Sequence, residues 1–336
     1  MPDKLSRTER LKSERQQRMK QKAPTQKQPP KKKNNTFVYR RLFWLLLLII
    51  FTVGGYSYYQ FKEGQGMAIE ERELTEEELL FTGAKVTNRT ENFLLIGVDS
   101  RGEEQSRSDS IMVISWDKEA NKLRTISFMR DIYADIPGHD QQKLNAAYYH
   151  GGAQLLADTL EEMFELPIHH YAMIDFVSFE KMIDIIAPDG ITIDVEKDMS
   201  EKIYVQLYEG VHNLNGQELL GYARFRADAE GDFGRVRRQQ QVVTALKEQL
   251  LSTTTLMQAP KLIGAMQGYV STDLQTSEQI GYLVKLITEG SLDVEGMTVP
   301  VEGSYVDYRD PTYGLVLDVN VDTNTRKIKE FIGASE

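Results

Sequence analysis

The sequence predicts an α/β domain, a mixed central β-sheet with helices on both faces, behind one N-terminal transmembrane helix. Three observations carry this reading. Twenty residues from Leu42 to Phe61 contain no charged side chain. Short apolar runs recur downstream at 92–98, 110–116, 123–129, 171–176, 191–195 and 297–301. Segments of helical periodicity lie between several of these runs, and strands alternating with amphipathic helices build a sheet covered on both sides.

The first 41 residues hold fourteen Lys/Arg and three acids, a net +11. Their Lys-, Gln- and Pro-rich composition is that of a disordered segment, so 1–40 reads as a basic cytoplasmic tail. At about 1.5 Å of rise per residue, a helix over 41–61 spans a hydrocarbon core of roughly 30 Å. Trp44 near one end and Tyr56, Tyr58 and Tyr59 near the other suit the headgroup level. The cationic flank stays inside, which places the C-terminal bulk outside the cell at the membrane surface. A cleaved signal peptide is the competing reading. The charged region is too long for one, and no small-x-small site follows the apolar run. Residues 62–90 are Glu-rich and read as a stalk, with a candidate short helix at "LTEEELLF". One extracellular domain is expected over 91–336.

The formal net charge is −10, and the remainder beyond the tail holds 26 basic and 47 acidic residues, a net −21. Such a domain repels nucleic acid at long range. The basic tail has no helix-turn-helix or zinc motif, so no nucleic-acid partner is expected. With no cysteine in the chain, disulfide, thiol and Cys-based zinc chemistry are excluded.

The strand runs end in charge. "NFLLIGV" leads into Asp99 and Arg101. Arg107 and Asp109 precede the second strand, and Arg130, Asp131 and Asp135 follow the third. The hairpin-like spacing between 98 and 129 makes the sheet mixed. Helical spacing then appears at Leu155, Leu156, Thr159, Leu160 and Met163, and again at Phe179, Met182, Ile183 and Ile186. Strand ends are where α/β folds place their sites. Taken singly, each of these charges also reads as a cap or turn residue.

The segment "YARFRADAEGDFGRVRRQQ" (222–240) gathers Arg224, Arg226, Arg235, Arg237 and Arg238 around Asp228, Glu230 and Asp232. A helix beginning near Gly234 places Arg235, Arg238 and Gln239 on the face that continues as Val242 and Leu246, toward the domain. Arg237 falls on another face and reads as solvated. Helix N-termini attract anions, and the planar guanidinium fork suits phosphate. The residues therefore describe an anion site. Asp99 and Asp109 beside a polyanion call for a cation between them, Mg²⁺ or Mn²⁺. "DFG" (232–234) and "MRD" (129–131) echo a kinase, but the glycine-rich loop and V-A-I-K-type lysine are missing. His169 and His170 are adjacent, and His139 and His150 read as lone residues, so histidine supplies no metal set.

In order behind one anchor, "LLIGVDSR", "SRSDSIMV", "SFMRDIYADIPG", "KLNAAY", "LNGQELLGYARFR" and "GDFGRVRRQQQ" resemble the LytR-CpsA-Psr family over about 92–250. Residues 251–336 carry less of its pattern. The resemblance implies an α/β sandwich with an apolar tunnel for a prenyl chain. It implies a membrane-anchored extracytoplasmic phosphotransferase of Gram-positive cell walls. Such an enzyme moves a phosphate-linked glycopolymer, wall teichoic acid or capsule, from an undecaprenyl-pyrophosphate carrier to peptidoglycan. By the same resemblance, Asp99 and Asp109 serve the metal and, with Arg130, the catalysis. Arg130, Arg224, Arg226, Arg235 and Gln239 hold the pyrophosphate, with Arg101, Arg107 and Arg238 as charged positions of the same site. "IIAPDGITI" (185–193) departs from the family's usual turn. Two alternatives remain: a regulator acting downstream of wall polymer, and a non-catalytic lipid carrier that shares the arginines without needing the two aspartates.

Overall fold

The computed structural model of the chain describes residues 7–21, 36–68, 81–86, 90–99, 108–288 and 294–333. Helices α1 (Arg7–Gln21) and α2 (Thr36–Ala68) come first. Strands β1 (Thr90–Val98), β2 (Ser108–Asp117), β3 (Lys122–Phe128), β4 (Tyr133–Ala134) and β5 (Gln142–Lys143) follow. Next are α3 (Asn145–Phe164), β6 (His170–Asp175), α4 (Phe176–Ile186), β7 (Ile191–Val195), β8 (Gly210–Leu214) and α5 (Gly216–Arg224). Then come α6 (Gly231–Leu250), α7 (Thr253–Met257), α8 (Ala259–Tyr269), β9 (Ser271–Thr272) and α9 (Thr276–Thr288). The chain closes with β10 (Val294–Val299), β11 (Tyr305–Asp310), β12 (Gly314–Val319) and α10 (Val321–Ile332).

The central sheet has six strands in the order β10-β3-β2-β1-β6-β9. β1, β2 and β3 form an antiparallel meander, while β6 runs parallel to β1 and β10 parallel to β3. The predicted mixed sheet is therefore present. Side chains alternate across it. Leu94, Ile96 and Val98 of β1 point into one core with Leu156 and Leu160 of α3 and Ile328 and Ile332 of α10. Leu95 and Gly97 point to the opposite face, where α4 and α6 lie. A second core forms around Ile191, Ile193 and Val195 of β7, Leu219 and Tyr222 of α5, and Val242 of α6. This core fixes the two helices that carry the arginines.

Two differences from the sequence reading concern the N-terminal region. Residues 7–21, expected to be disordered, form α1. They are rich in Lys, Arg, Gln and Glu, whose straight side chains favour helix even without a core. The apolar helix also runs past Phe61 to Ala68, and Tyr39–Met67 is long and apolar enough to cross a membrane. Its last turns pack on α8. A Cβ at Gly64 would meet the Lys261 carbonyl, and one at Gly264 would meet that of Phe61, so only glycine permits this approach. Lys261 pairs with Glu63 at 2.8 Å. Most of the candidate helix at 74–81 lies outside the described residues. The 185–193 departure forms the turn from α4 to β7, with Gly190 at φ +83°.

The sheet end where β1 and β6 begin holds a charge cluster around a buried glutamate. Glu91 is 3 % exposed and contacts Lys118 at 2.7 Å and His170 at 3.4 Å. His170 Nδ1 also lies 2.7 Å from Asp273. Asp273 first, and Glu91 second, push the His170 pKa up to about 9, against the opposing effect of burial. His169 instead accepts from the Asn92 N–H through Nδ1, and burial lowers its pKa. Both histidines are structural. Because folding raises the His170 pKa above its ordinary 6.5, its contribution is complete below that pH and fades as pH rises toward 9. Chemical denaturation from pH 6 to 9.5 should show wild-type stability falling across this window. His170→Gln should be less stable at pH 6 and lack that component of the slope.

Candidate active site

The antiparallel meander brings three predicted residues to one end of the sheet. β1 ends at Val98, β2 begins at Ser108, and Ile111 of β2 pairs with Phe128 at the end of β3. Asp99, Asp109 and Arg130 therefore come together although they span over thirty positions in sequence. The other arginines arrive from the second core. Helix α5, opened by a capping box between Asn215 and Glu218, ends at Arg224. Helix α6 then brings Arg235 and Gln239 back over the sheet.

Arg130 Nη1 lies 2.5 Å from Asp109 Oδ1, and its Nε lies 3.7 Å from both Asp131 and Asp232. Asp232 is the hub. Its carboxylate also reaches Arg235 at 2.8 Å and Arg226 at 3.9 Å. Arg224 pairs with Asp99 at 3.5 Å and stands over the Phe176 ring at 4.5 Å. Gln239 Oε1 accepts from the Ser110 hydroxyl at 3.0 Å. Asp232 was not among the predicted site residues. Its spacing three positions before Arg235, on a helix, is the signal that could have found it.

Burial shapes the electrostatics. Arg235 is only 6 % exposed. Burial lowers its pKa, and Asp232 opposes that effect. Burial also weakens the Arg130 proton, but Asp232, Asp109 and Asp131 more than compensate and raise its pKa. Both groups stay charged, as arginine does in proteins. The Nε atoms of Arg130 and Arg235 are buried and lack a hydrogen-bond partner among the described residues. Such donors are costly unless something accepts from them.

Two predicted positions behave otherwise. Arg238 is fully buried and turned away from the site. It donates to the Phe225 carbonyl at 3.0 Å and pairs with Asp228 and Glu196, so it holds the loop between α5 and α6. The expectation that it shares the anion site with Arg235 fails because the fork bends back onto that loop. Arg237 is not simply solvated, since it pairs with Glu196 and Glu230. Arg101 and Arg107 lie outside the described residues. His139 and His150 are not lone residues. Their rings stack at 4.3 Å.

A cavity of about 610 Å³ opens beside these groups. Asp109, Arg130, Arg224, Arg226, Arg235 and Gln239 line its polar part. Val242, Val243, Leu246 and Leu250 of α6, with Leu262 and Met266 of α8, line its apolar part. One face of α6 thus changes from cationic at Arg235 to aliphatic at Leu250, over about 22 Å at helical rise. The arrangement fits a ligand with a polyanionic head and a long apolar tail.

Residues 56–329 match the LytR_cpsA_psr family. The chain is 46 % identical over 252 residues to the regulatory protein MsrR of Staphylococcus aureus, covering 75 % of this chain and 77 % of that one. It is 31 % identical over 214 residues to the polyisoprenyl-teichoic acid–peptidoglycan teichoic acid transferase TagU of Bacillus cereus, covering 63 % and 69 %. The fold superposes on Bacillus subtilis TagT with bound octaprenyl pyrophosphate at a TM-score of 0.56 and 22 % identity, covering 79 % of this chain and 96 % of that one. This chain belongs to the LytR-CpsA-Psr family.

Proposed function

We propose that the chain is a membrane-anchored transferase, with its tail in the cytoplasm and its domain outside the cell. It moves a phosphate-linked glycopolymer from a polyprenyl pyrophosphate carrier to peptidoglycan. The observation that carries this is the continuity of four arginines with a long aliphatic cavity along one face of α6. TagU is named for transfer of teichoic acid to peptidoglycan, and TagT has been solved with octaprenyl pyrophosphate. Both agree with that geometry.

The chemistry is phosphoryl transfer. An acceptor hydroxyl attacks the phosphorus bearing the glycopolymer, the bridging P–O bond breaks, and polyprenyl phosphate leaves. The hydroxyl proton passes to a carboxylate, and Asp109 is the one that opens onto the cavity. Arg130, Arg224, Arg226 and Arg235 hold the diphosphate and neutralise charge as it moves to the leaving group. Before the lipid arrives, Asp109, Asp99 and Asp232 are their counter-ions. A diphosphate takes over the guanidinium forks, including the Nε atoms of Arg130 and Arg235 that make no hydrogen bond among the described residues, and so frees carboxylate oxygens.

Those freed oxygens fit a hard divalent cation. No group of three or more metal-binding side chains exists among the described residues. Two carboxylates completed by substrate phosphates and water are how Mg²⁺ is usually held. Asp99 and Asp109 would hold Mg²⁺ or Mn²⁺, which would supply further neutralisation of the diphosphate. A lipid carrier would need the arginines alone, so metal-dependent turnover separates the two readings.

Arg235→Ala should lower glycopolymer transfer from a synthetic lipid-linked donor by roughly 10³-fold while leaving the thermal midpoint within a few degrees. Normal transfer by both Arg130→Ala and Arg235→Ala would refute the assignment. Chelation of divalent ions should abolish turnover, and added Mg²⁺ should restore it in wild type but not in Asp99→Asn/Asp109→Asn. Ala172→Trp, which fills the apolar part of the cavity, should lose long-chain donors while retaining a short-chain one.

A further inference from the structure

A hairpin from the C-terminal region is built onto the arginine site. The Leu317 N–H of β12 donates to the Asp131 carbonyl at 2.9 Å, and Leu317 bridges Ile132, directly after Arg130. Two aromatic pairs span the same seam. Tyr305 of β11 stacks on Phe233 at 5.6 Å, two positions before Arg235. Tyr308 lies 5.9 Å from Tyr133, three positions after Arg130. The Tyr133 hydroxyl donates to Asp310 at 2.9 Å, and Asp310 also accepts from the N–H groups of Thr312 and Tyr313. The base is clamped where the Asn320 N–H donates to the Ser304 carbonyl at 2.7 Å. The tyrosines are thus held rigidly, yet Tyr308 remains 44 % exposed and its same-face neighbour Val306 62 %. Exposed apolar rings fixed beside a site mark a ligand surface rather than core.

Charge decides which substrate this surface suits. Residues 302–319 hold Glu302, Asp307, Asp310 and Asp318 against Arg309 alone. A phosphate-rich polymer is repelled there, whereas a neutral sugar ring can stack on tyrosine and donate its hydroxyl and amide protons to carboxylates. We propose that Tyr308, Val306 and Asp318, which pairs with Val306 across the hairpin on the same face, form a subsite for the uncharged N-acetylhexosamine rings of the acceptor strand. The subsite rests on the transferase reading and adds to it the element that seats the acceptor beside the arginines. The donor polymer leaves the site by another side.

Calorimetric titration of the full-length chain in detergent with an uncharged N-acetylglucosamine tetrasaccharide tests this. Wild type should bind it, and poly(glycerol phosphate) should neither bind the hairpin nor compete. Tyr308→Ala should weaken tetrasaccharide binding roughly three- to ten-fold, while Tyr308→Phe should retain it. Val306→Glu, at a position 62 % exposed, should also weaken it. Octaprenyl pyrophosphate affinity should stay at the wild-type value in all three. In turnover, Tyr308→Ala should raise the acceptor KM and leave kcat unchanged. Equal tetrasaccharide affinity in wild type, Tyr308→Ala and Val306→Glu overturns the subsite, as does displacement of the tetrasaccharide by poly(glycerol phosphate). If those results came with Arg235-dependent transfer intact, the transferase reading would stand without the subsite. If wild type bound the tetrasaccharide but moved no polymer, the subsite would stand and the transferase reading would fall.

Discussion

Guanidinium groups removed from water need counter-charges, and much of this domain is arranged to supply them. Arg235 and Arg130 are drawn into the protein beside an aliphatic cavity, where an unpaired charge would cost several kcal/mol. Asp232 sits among three arginines and Asp109 lies against Arg130. Among the described residues the site thus holds four arginines against four aspartates, Asp99, Asp109, Asp131 and Asp232. In the function proposed above, a diphosphate exchanges with carboxylates already in place rather than entering an empty field, and the same carboxylates keep the free protein stable.

The same constraint explains the scaffolding. Arg238 and Arg237 stand in the middle of the arginine cluster, yet their partners are Asp228, Glu196 and Glu230. They tie the loop between α5 and α6 to the end of β7, so that Arg224, Arg226 and Arg235 meet the sheet edge at a fixed distance. The β7–β8 ribbon and its core lie behind that tie. Two arginines therefore set the geometry of the others.

Helix α6 joins the two physical environments. Its N-terminal turns are charged and its C-terminal turns aliphatic, on one face. Helix α8 lines the aliphatic end, and the last turns of α2 pack on α8 through Gly64 and Gly264. At the polar end, the β11–β12 hairpin is bonded to the segment after Arg130. The polar end of the cavity, its aliphatic end and the hairpin are thus formed by different elements that converge on one sheet.

Much of this was legible in the sequence because it depends on local periodicity. The apolar anchor, the six strand runs and the stripe on α6 all follow from spacing that one sequence displays. Asp99, Asp109 and Arg130 were visible as charges at strand ends, and Arg224, Arg226 and Arg235 as a cluster. Shorter elements were not found: β8, β9, β11 and β12 are half-exposed or only two residues long, and their pairing depends on distant partners. Helix α5 carried a readable start in its Asn215–Glu218 box, masked by the arginines that follow. The direction of each guanidinium was beyond the sequence. Arg235 and Arg238 are three positions apart on one predicted face, yet one lines the cavity and the other turns to Phe225 and Asp228, because loop packing rather than helical phase sets where a long side chain ends. Sequence determined which charges exist and on which elements. Tertiary structure decided which carboxylate each arginine meets, since pairing is a property of distance in space.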